Sequence, residues 1–175
     1  LKVFSLAVPN AELIYWKAFL ENLPVDVSNI KPGISFPFRA ETAAVLENLL
    51  KTNDQWLLKY HLALIEWNQD NLSKARALFT QCGMKPEDAS FYAARAALMK
   101  DETESVERDL HQAITLDQQG WRYHKLLAEH LIIQKQYEKA LAIVEPFYKS
   151  HDDNYIMGML YAKTLLLTKK YAAAD

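Results

Sequence analysis

The chain has 175 residues, half of them apolar, which is enough to bury the core of one ordinary domain and excludes a disordered chain. Only 4 glycines and 6 prolines appear, a balance that favours helices over a turn-rich β architecture. Twenty basic against 22 acidic side chains leave a formal charge of −2, without the cation excess that phosphate binding draws on, so nucleic acid and anionic membrane surfaces are excluded as partners.

One cysteine, Cys82, excludes an intramolecular disulfide framework and any multi-cysteine zinc site; beside Gly83 at a helix end it reads as a small buried filler. No apolar run reaches the ~18 residues of a membrane span, and residues 1–9 are too short and lack the basic start of a signal peptide. A soluble chain is expected, cytoplasmic or periplasmic. It begins without methionine and stops at Asp175 inside an expected helix, which reads as a fragment of a longer protein.

In chain order, the first helix is expected over residues 10–22, capped by Asn10, with Leu13, Trp16, Phe19 and Leu20 at helical spacing. Residues 24–38 carry Pro24, Pro32, Gly33 and Pro37 between apolar positions, which forbids a helix and reads as an extended segment. Helix resumes over residues 39–51 through Ala43, Leu46, Leu49 and Leu50, and Asn53-Asp54 supplies a cap for the next one.

From there a pattern returns at residues 56, 87, 121 and 155, at intervals of 31, 34 and 34. The eighth place of each block is Ala63, Ala94, Ala128 and Ala162, and twelve places later stand Ala75, Val106, Ala140 and Ala174. Small residues at fixed spacing mark places where two helices approach closely. The hairpins are expected to pair residues 56–69 with 72–81, 87–100 with 103–116, 121–135 with 137–149, and 155–168 with a helix opening at Tyr171. Their short turns force neighbouring helices antiparallel. The expectation is all-α, a right-handed superhelix of helical hairpins over residues 55–175, with residues 1–54 packing on it.

These residues resemble the tetratricopeptide-repeat family over roughly residues 55–175. Bulky residues stand at the motif's seventh place (Leu62, Leu127, Tyr161), its seventeenth (Leu72, Tyr137, Tyr171) and its twenty-fourth (Phe79, Leu110, Val144). The second copy departs from the motif at Ala93 and Thr103, no glycine stands in a hairpin turn, and Gln118 and Asp152 replace the usual proline near the end of a copy. A narrower resemblance, carried by phrases such as Phe36-Pro37-Phe38-Arg39, Leu58-Lys59-Tyr60-His61 and Phe91-Tyr92-Ala93-Ala94, is to the C-terminal repeat region of large bacterial proteins. There a β-rich domain similar to sugar-mutarotase-like sandwiches precedes the repeats, and the resemblance implies that this chain is the tail of such a protein.

No catalytic constellation assembles from the sequence. His124 and His130 are six apart, the wrong spacing for a helical metal chelate, and His61, His111 and His151 stand singly and read as surface or interface residues. No phosphate loop and no nucleophile elbow is present, so no catalytic residue, metal or cofactor is assigned. The resemblance instead implies a concave groove lined by the first helix of each hairpin. Its expected partner-binding residues are Tyr60, Leu64 and Trp67 in the first hairpin, Phe91 and Arg95 in the second, and Arg122 and Lys125 in the third. Tyr60 and Leu64 stand where the carboxylate-clamp members of the family carry lysine and asparagine, which argues against a chaperone-cofactor role.

The expected function is a non-catalytic protein–protein interaction or scaffold module, holding a peptide, another protein or an upstream domain of the same chain. The alternative is a part of a carbohydrate-active enzyme assembly that contributes to its substrate groove. Whether the groove is open or filled by residues 24–38 stays undecided at this level. Ile156, Met159, Leu160 and Leu166 form an apolar face at the C-terminal end that is expected to self-associate.

Overall fold

The computed structural model describes residue 21 and residues 40–169. The helix expected over residues 10–22, the extended segment 24–38, Ala174 and the helix expected from Tyr171 lie outside the described residues, apart from the single turn residue Glu21. Among the described residues there are eight α-helices and no strand: α1 (Ala40–Leu50), α2 (Trp56–Asn68), α3 (Leu72–Cys82), α4 (Ala89–Leu98), α5 (Thr103–Leu116), α6 (Trp121–Ile133), α7 (Tyr137–Ser150) and α8 (Tyr155–Leu167). The chain forms two compact units that divide between Pro86 and Glu87.

In the first unit α1 packs on α2 and α2 on α3. Leu46 of α1, Leu57, Leu58 and Ile65 of α2, and Phe79 of α3 are fully buried. Ala63 and Ala75, the expected small places, have no exposed surface, and the Tyr60 ring meets the Phe79 ring edge-on at 5.8 Å between centroids. Cys82 is buried as expected, its Sγ 3.3 Å from the Leu78 carbonyl oxygen. His61 is also buried, with 3% exposure, which corrects the surface part of its reading as a surface or interface residue. Asn53-Asp54 does not cap α2. Gln55 is the residue before the helix and makes no side-chain cap bond, while Asn53 Nδ2 donates back to the Leu49 carbonyl at the end of α1 and Asp54 pairs with Lys59.

In the second unit α4 packs on α5, α5 on α6, α6 on α7, and α8 on both α7 and α6. One core runs through it, with Val106 and Leu110 from α5, Leu127 from α6, Val144 from α7 and Met157 from α8. Ala128 and Ala140 are fully buried at their expected places. The second hairpin is different. Its first helix starts at Ala89, because the Asp88 carboxylate accepts the Phe91 amide at 2.9 Å and sets the N-terminus two residues later than the repeat interval predicts. Counted from Ala89, the eighth place is Ala96, which is 3% exposed and joins the core, whereas Ala94 is only half-buried. The close-approach alanine of this hairpin is therefore Ala96.

Helix endings recur as well. After α2 the Asp70 amide bonds to the Trp67 carbonyl (3.0 Å) and the Asn71 amide to that of Glu66 (2.9 Å); after α6, Lys135 bonds to Ile132 (2.9 Å) and Gln136 to Leu131 (2.9 Å). This paired closure satisfies the last carbonyls of each helix and needs one residue at positive φ. Asp70, Lys135 and Lys169 provide it at φ 62°, 59° and 61°, all at one place of the repeat and none a glycine. Gly83, at φ 61°, ends α3 as expected.

Candidate functional site

Of the seven expected partner-binding residues, Tyr60, Phe91 and Arg95 are buried, Leu64, Trp67 and Lys125 are half-buried, and Arg122 is exposed. Tyr60, Leu64 and Trp67 belong to the first unit and the other four to the second. Arg95 is a correction with a clear cause. In the register set by Ala89 it occupies the seventh helical place, where α2 carries Leu62 and α6 carries Leu127, both core residues. Its guanidinium meets Asp109 of α5 through two bonds, Nε to Oδ2 at 2.6 Å and Nη2 to Oδ1 at 2.7 Å, and lies 5.0 Å from the Phe91 ring centroid and 5.2 Å from that of Tyr92. Asp109 is 1% exposed. This buried charge pair is a fastening between α4 and α5, not a hand held out to a partner.

What the second unit exposes lies elsewhere on its first helices. The early groove places of α4 are Ala93 and Ala97, where α2 has Tyr60 and Leu64, and the missing bulk leaves a hollow of about 200 Å³. Leu126, Glu129, His130 and Ile133 of α6 wall it, above Val106 and Leu110 of α5. Ile133 is 75% exposed, and Glu129 is held by Lys125 across one turn at 2.8 Å. On α8, Ile156, Met159 and Leu166 stand at the second, fifth and twelfth places and are exposed, with the exposed Lys163 among them at the ninth. The spacing keeps them on one stripe. Leu160, assigned to this face from the sequence, is instead buried in the core.

Sequence reasoning missed Ala93, Ala97 and Ile133. Ala93 registered only as a departure from the motif and Ala97 not at all, although a pair of alanines at groove places is itself the signal of a hollow. Ile133 needs the helix end at Ile133 to be known before its exposure is evident.

A second, shallower recess of about 460 Å³ lies among α5, α7 and the start of α6, and His111, His124 and His151 line it with Gln119, Ser150 and Phe147. The His151 ring stacks on Phe147 at 4.3 Å, with His124 at 4.4 Å from the same ring, and Nε2 of His151 meets Gln119 Oε1 at 2.6 Å. Burial pushes the His124 imidazole below its ordinary pKa, its bond to the Gly120 carbonyl opposing this only in part. Among the described residues no group of three or more His, Cys, Asp or Glu side chains is placed to hold a metal ion, and no helix is long and apolar enough to cross a membrane.

Neither a family model nor a curated protein matches the sequence. Solved structures do. The chain is similar to the crystal structure of MamA protein, at 13% identity over 76% of this chain and 75% of that one, with a TM-score of 0.64. It is similar to a MamA RS-1 ArsTM double mutant at 11% identity over 94% and 86%, with a TM-score of 0.66. It is also similar to YrrB, described as a TPR protein with an unusual peptide-binding site, at 11% identity over 75% and 69%, with a TM-score of 0.62. With eight helices in recurring hairpins among the described residues and these structural neighbours, the chain has the all-α helical-repeat fold of the tetratricopeptide-repeat proteins.

Proposed function

We propose that this chain is a non-catalytic interaction module that binds another polypeptide through the first helices of its second unit, α4, α6 and α8. The observation that carries the reading is the exposed apolar surface of α6 and α8: Ile133 at 75% and Leu126 on α6, and Met159 at 58%, Leu166 at 53% and Ile156 on α8. Five large apolar side chains left in water on one set of helices mark an interaction surface rather than scattered exposure. The fold supports it, since the similar YrrB is described as having a peptide-binding site. A buried Arg95 and Phe91 move the expected surface away from the second hairpin's core and onto α6 and α8. The upstream domain implied by the bacterial resemblance is one polypeptide that fits the role.

The test is a selection of 12-residue peptides from a random displayed library on the full chain, repeated with the Ile133→Ser/Met159→Ser double variant. Peptides that bind the parent and not the variant are expected, with helicity unchanged by circular dichroism. Peptides that bind both equally, or a library that yields no binder, would overturn the reading. Co-expression with a β-rich domain of the kind the bacterial resemblance implies, with and without the double substitution, then asks whether such a domain is the occupant.

A further inference from the structure

We infer that the recess among α5, α7 and the start of α6 is an acid-operated joint: protons taken up by its imidazoles part the turn before α6 from the turn after α7. One phenyl ring, Phe147, is packed by two imidazoles, His151 stacked at 4.3 Å and His124 at 4.4 Å. His111 of α5 is a third imidazole on the same recess. His151 also ties the two turns to each other, through the 2.6 Å bond from its Nε2 to the side-chain oxygen of Gln119. The start of α6 is thereby fastened to the end of α7. The same turn starts α8, because the Asn154 amide bonds to the His151 carbonyl at 3.0 Å and the Asn154 side chain accepts the Met157 amide at 3.1 Å.

The joint accommodates one proton and resists the second. His151 can carry a charge in place: Nε2 donates to Gln119, while Nδ1 faces the Phe147 carbonyl at 3.1 Å and Ser150 Oγ at 2.9 Å, so a proton on either nitrogen meets oxygen. It stands just past α7, at the negative end of that helix dipole. His124 is placed otherwise. Its Nδ1 donates to the Gly120 carbonyl at 3.3 Å and its ring is half-buried against Phe147, so a charge on it loses water and meets a charged His151 around one phenyl ring. The residues lining the recess include no carboxylate, lysine or arginine to offset that charge. Of the charged groups on the surrounding elements, Asp117 before α6 favours a proton on His124, Asp152 and Asp153 follow His151 in its turn, and Glu145 and Lys149 of α7 pair with each other at 2.7 Å. Burial wins: it holds the His124 imidazole below its ordinary 6.5, with His151 adding to it and the Gly120 bond and Asp117 opposing. A folded-state pKa below the unfolded one means that the contact is intact above pH 6.5 and is lost as pH falls beneath it.

Hydrogen exchange of the full chain, followed by mass spectrometry at pH 7.5 and 5.0 and corrected for the intrinsic pH dependence of exchange, tests the joint. Protection over residues 117–124 and 147–157 is expected to fall about tenfold at pH 5.0, the weight of one like-charge contact near a protein surface, while α4 keeps its protection. His124→Phe retains a ring on Phe147 and takes no proton, so the same segments should stay protected at pH 5.0; His124→Gln, which also takes no proton, is the second variant should the first fail to fold by circular dichroism. Gln119→Ala cuts the bond between the turns and should lower their protection already at pH 7.5. Protection that ignores pH, that falls evenly over every helix, or that falls as far without the His124 imidazole as with it overturns the inference, and so does a Gln119→Ala chain as protected as the parent. Where the proposed surface on α6 and α8 holds a partner, the joint weakens that hold in acid; exchange in the free chain tests the joint whether or not that surface stands.

Discussion

At the scale of single residues, a buried ion pair and a buried histidine decide how this chain responds to change. Arg95 and Asp109 form a two-bond ion pair in a place where neighbouring hairpins carry leucine. Removing one partner strands the other charge in the core, so Asp109→Ala should cost about 3–5 kcal/mol, whereas replacing both by leucine should be neutral or stabilising. Urea unfolding of the two variants checks this, and a mild single variant would mean that water reaches the site. His61 acts through pH. Burial lowers its pKa from 6.5 to about 4, so the folded chain refuses a proton that the unfolded chain accepts. Its contribution is intact above pH 6.5 and is lost as pH falls through the window down to about 4. Between pH 7.5 and 4.5 this amounts to about 2–3 kcal/mol, and His61→Leu should flatten that part of the stability profile.

At the scale of elements, the hairpin register is the quantity to test. Ala96 and Ala128 sit at the eighth place of α4 and α6 and are buried, while Ala94 is half-buried. Enlarging a buried close-approach residue overpacks the helix pair, so Ala96→Leu and Ala128→Leu should each lose about 1–3 kcal/mol and Ala94→Leu clearly less. Thermal melts rank the three, and a damaging Ala94→Leu with a silent Ala96→Leu would restore the register of the plain repeat interval. The helix endings offer the opposite change. Lys135 holds φ at 59° with a β-carbon present, and glycine removes that strain, so Lys135→Gly should gain about 1 kcal/mol without touching a side-chain contact. The same substitution at Asp70 should behave alike.

At the scale of the whole molecule, the fold separates its two tasks. Its hairpins hold themselves together through buried alanines and apolar seams, and the first helices of the second unit leave Ile133, Met159 and Leu166 in water and carry the exposed cations Arg122 and Lys163. Peptide binding there should weaken as salt rises from 0.05 to about 0.5 M, because exposed cations are screened once the Debye length falls below about 5 Å. The apolar part of the affinity should persist. Titration of the selected peptides at several salt concentrations measures the division, and an affinity indifferent to salt would place the contact on apolar surface alone.

The sequence by itself determined the helices and their turns. Among the described residues from 56 onward, every helix starts within two residues of its expectation, because local periodicity and short connections act along the chain and need no partner. The buried small places at Ala63, Ala75, Ala128 and Ala140 were legible for the same reason. The tertiary structure alone decided the rest. The cap at Asp88 shifts α4 by two residues against the repeat, and a two-residue shift on a helix turns a face by about 200°, which carries Arg95 from the groove into the core and puts Ala93 and Ala97 at its edge. Burial of His61 and of Arg95 with Asp109 depends on what packs across from them, and a polar residue's letter does not state whether its partner is water or another helix.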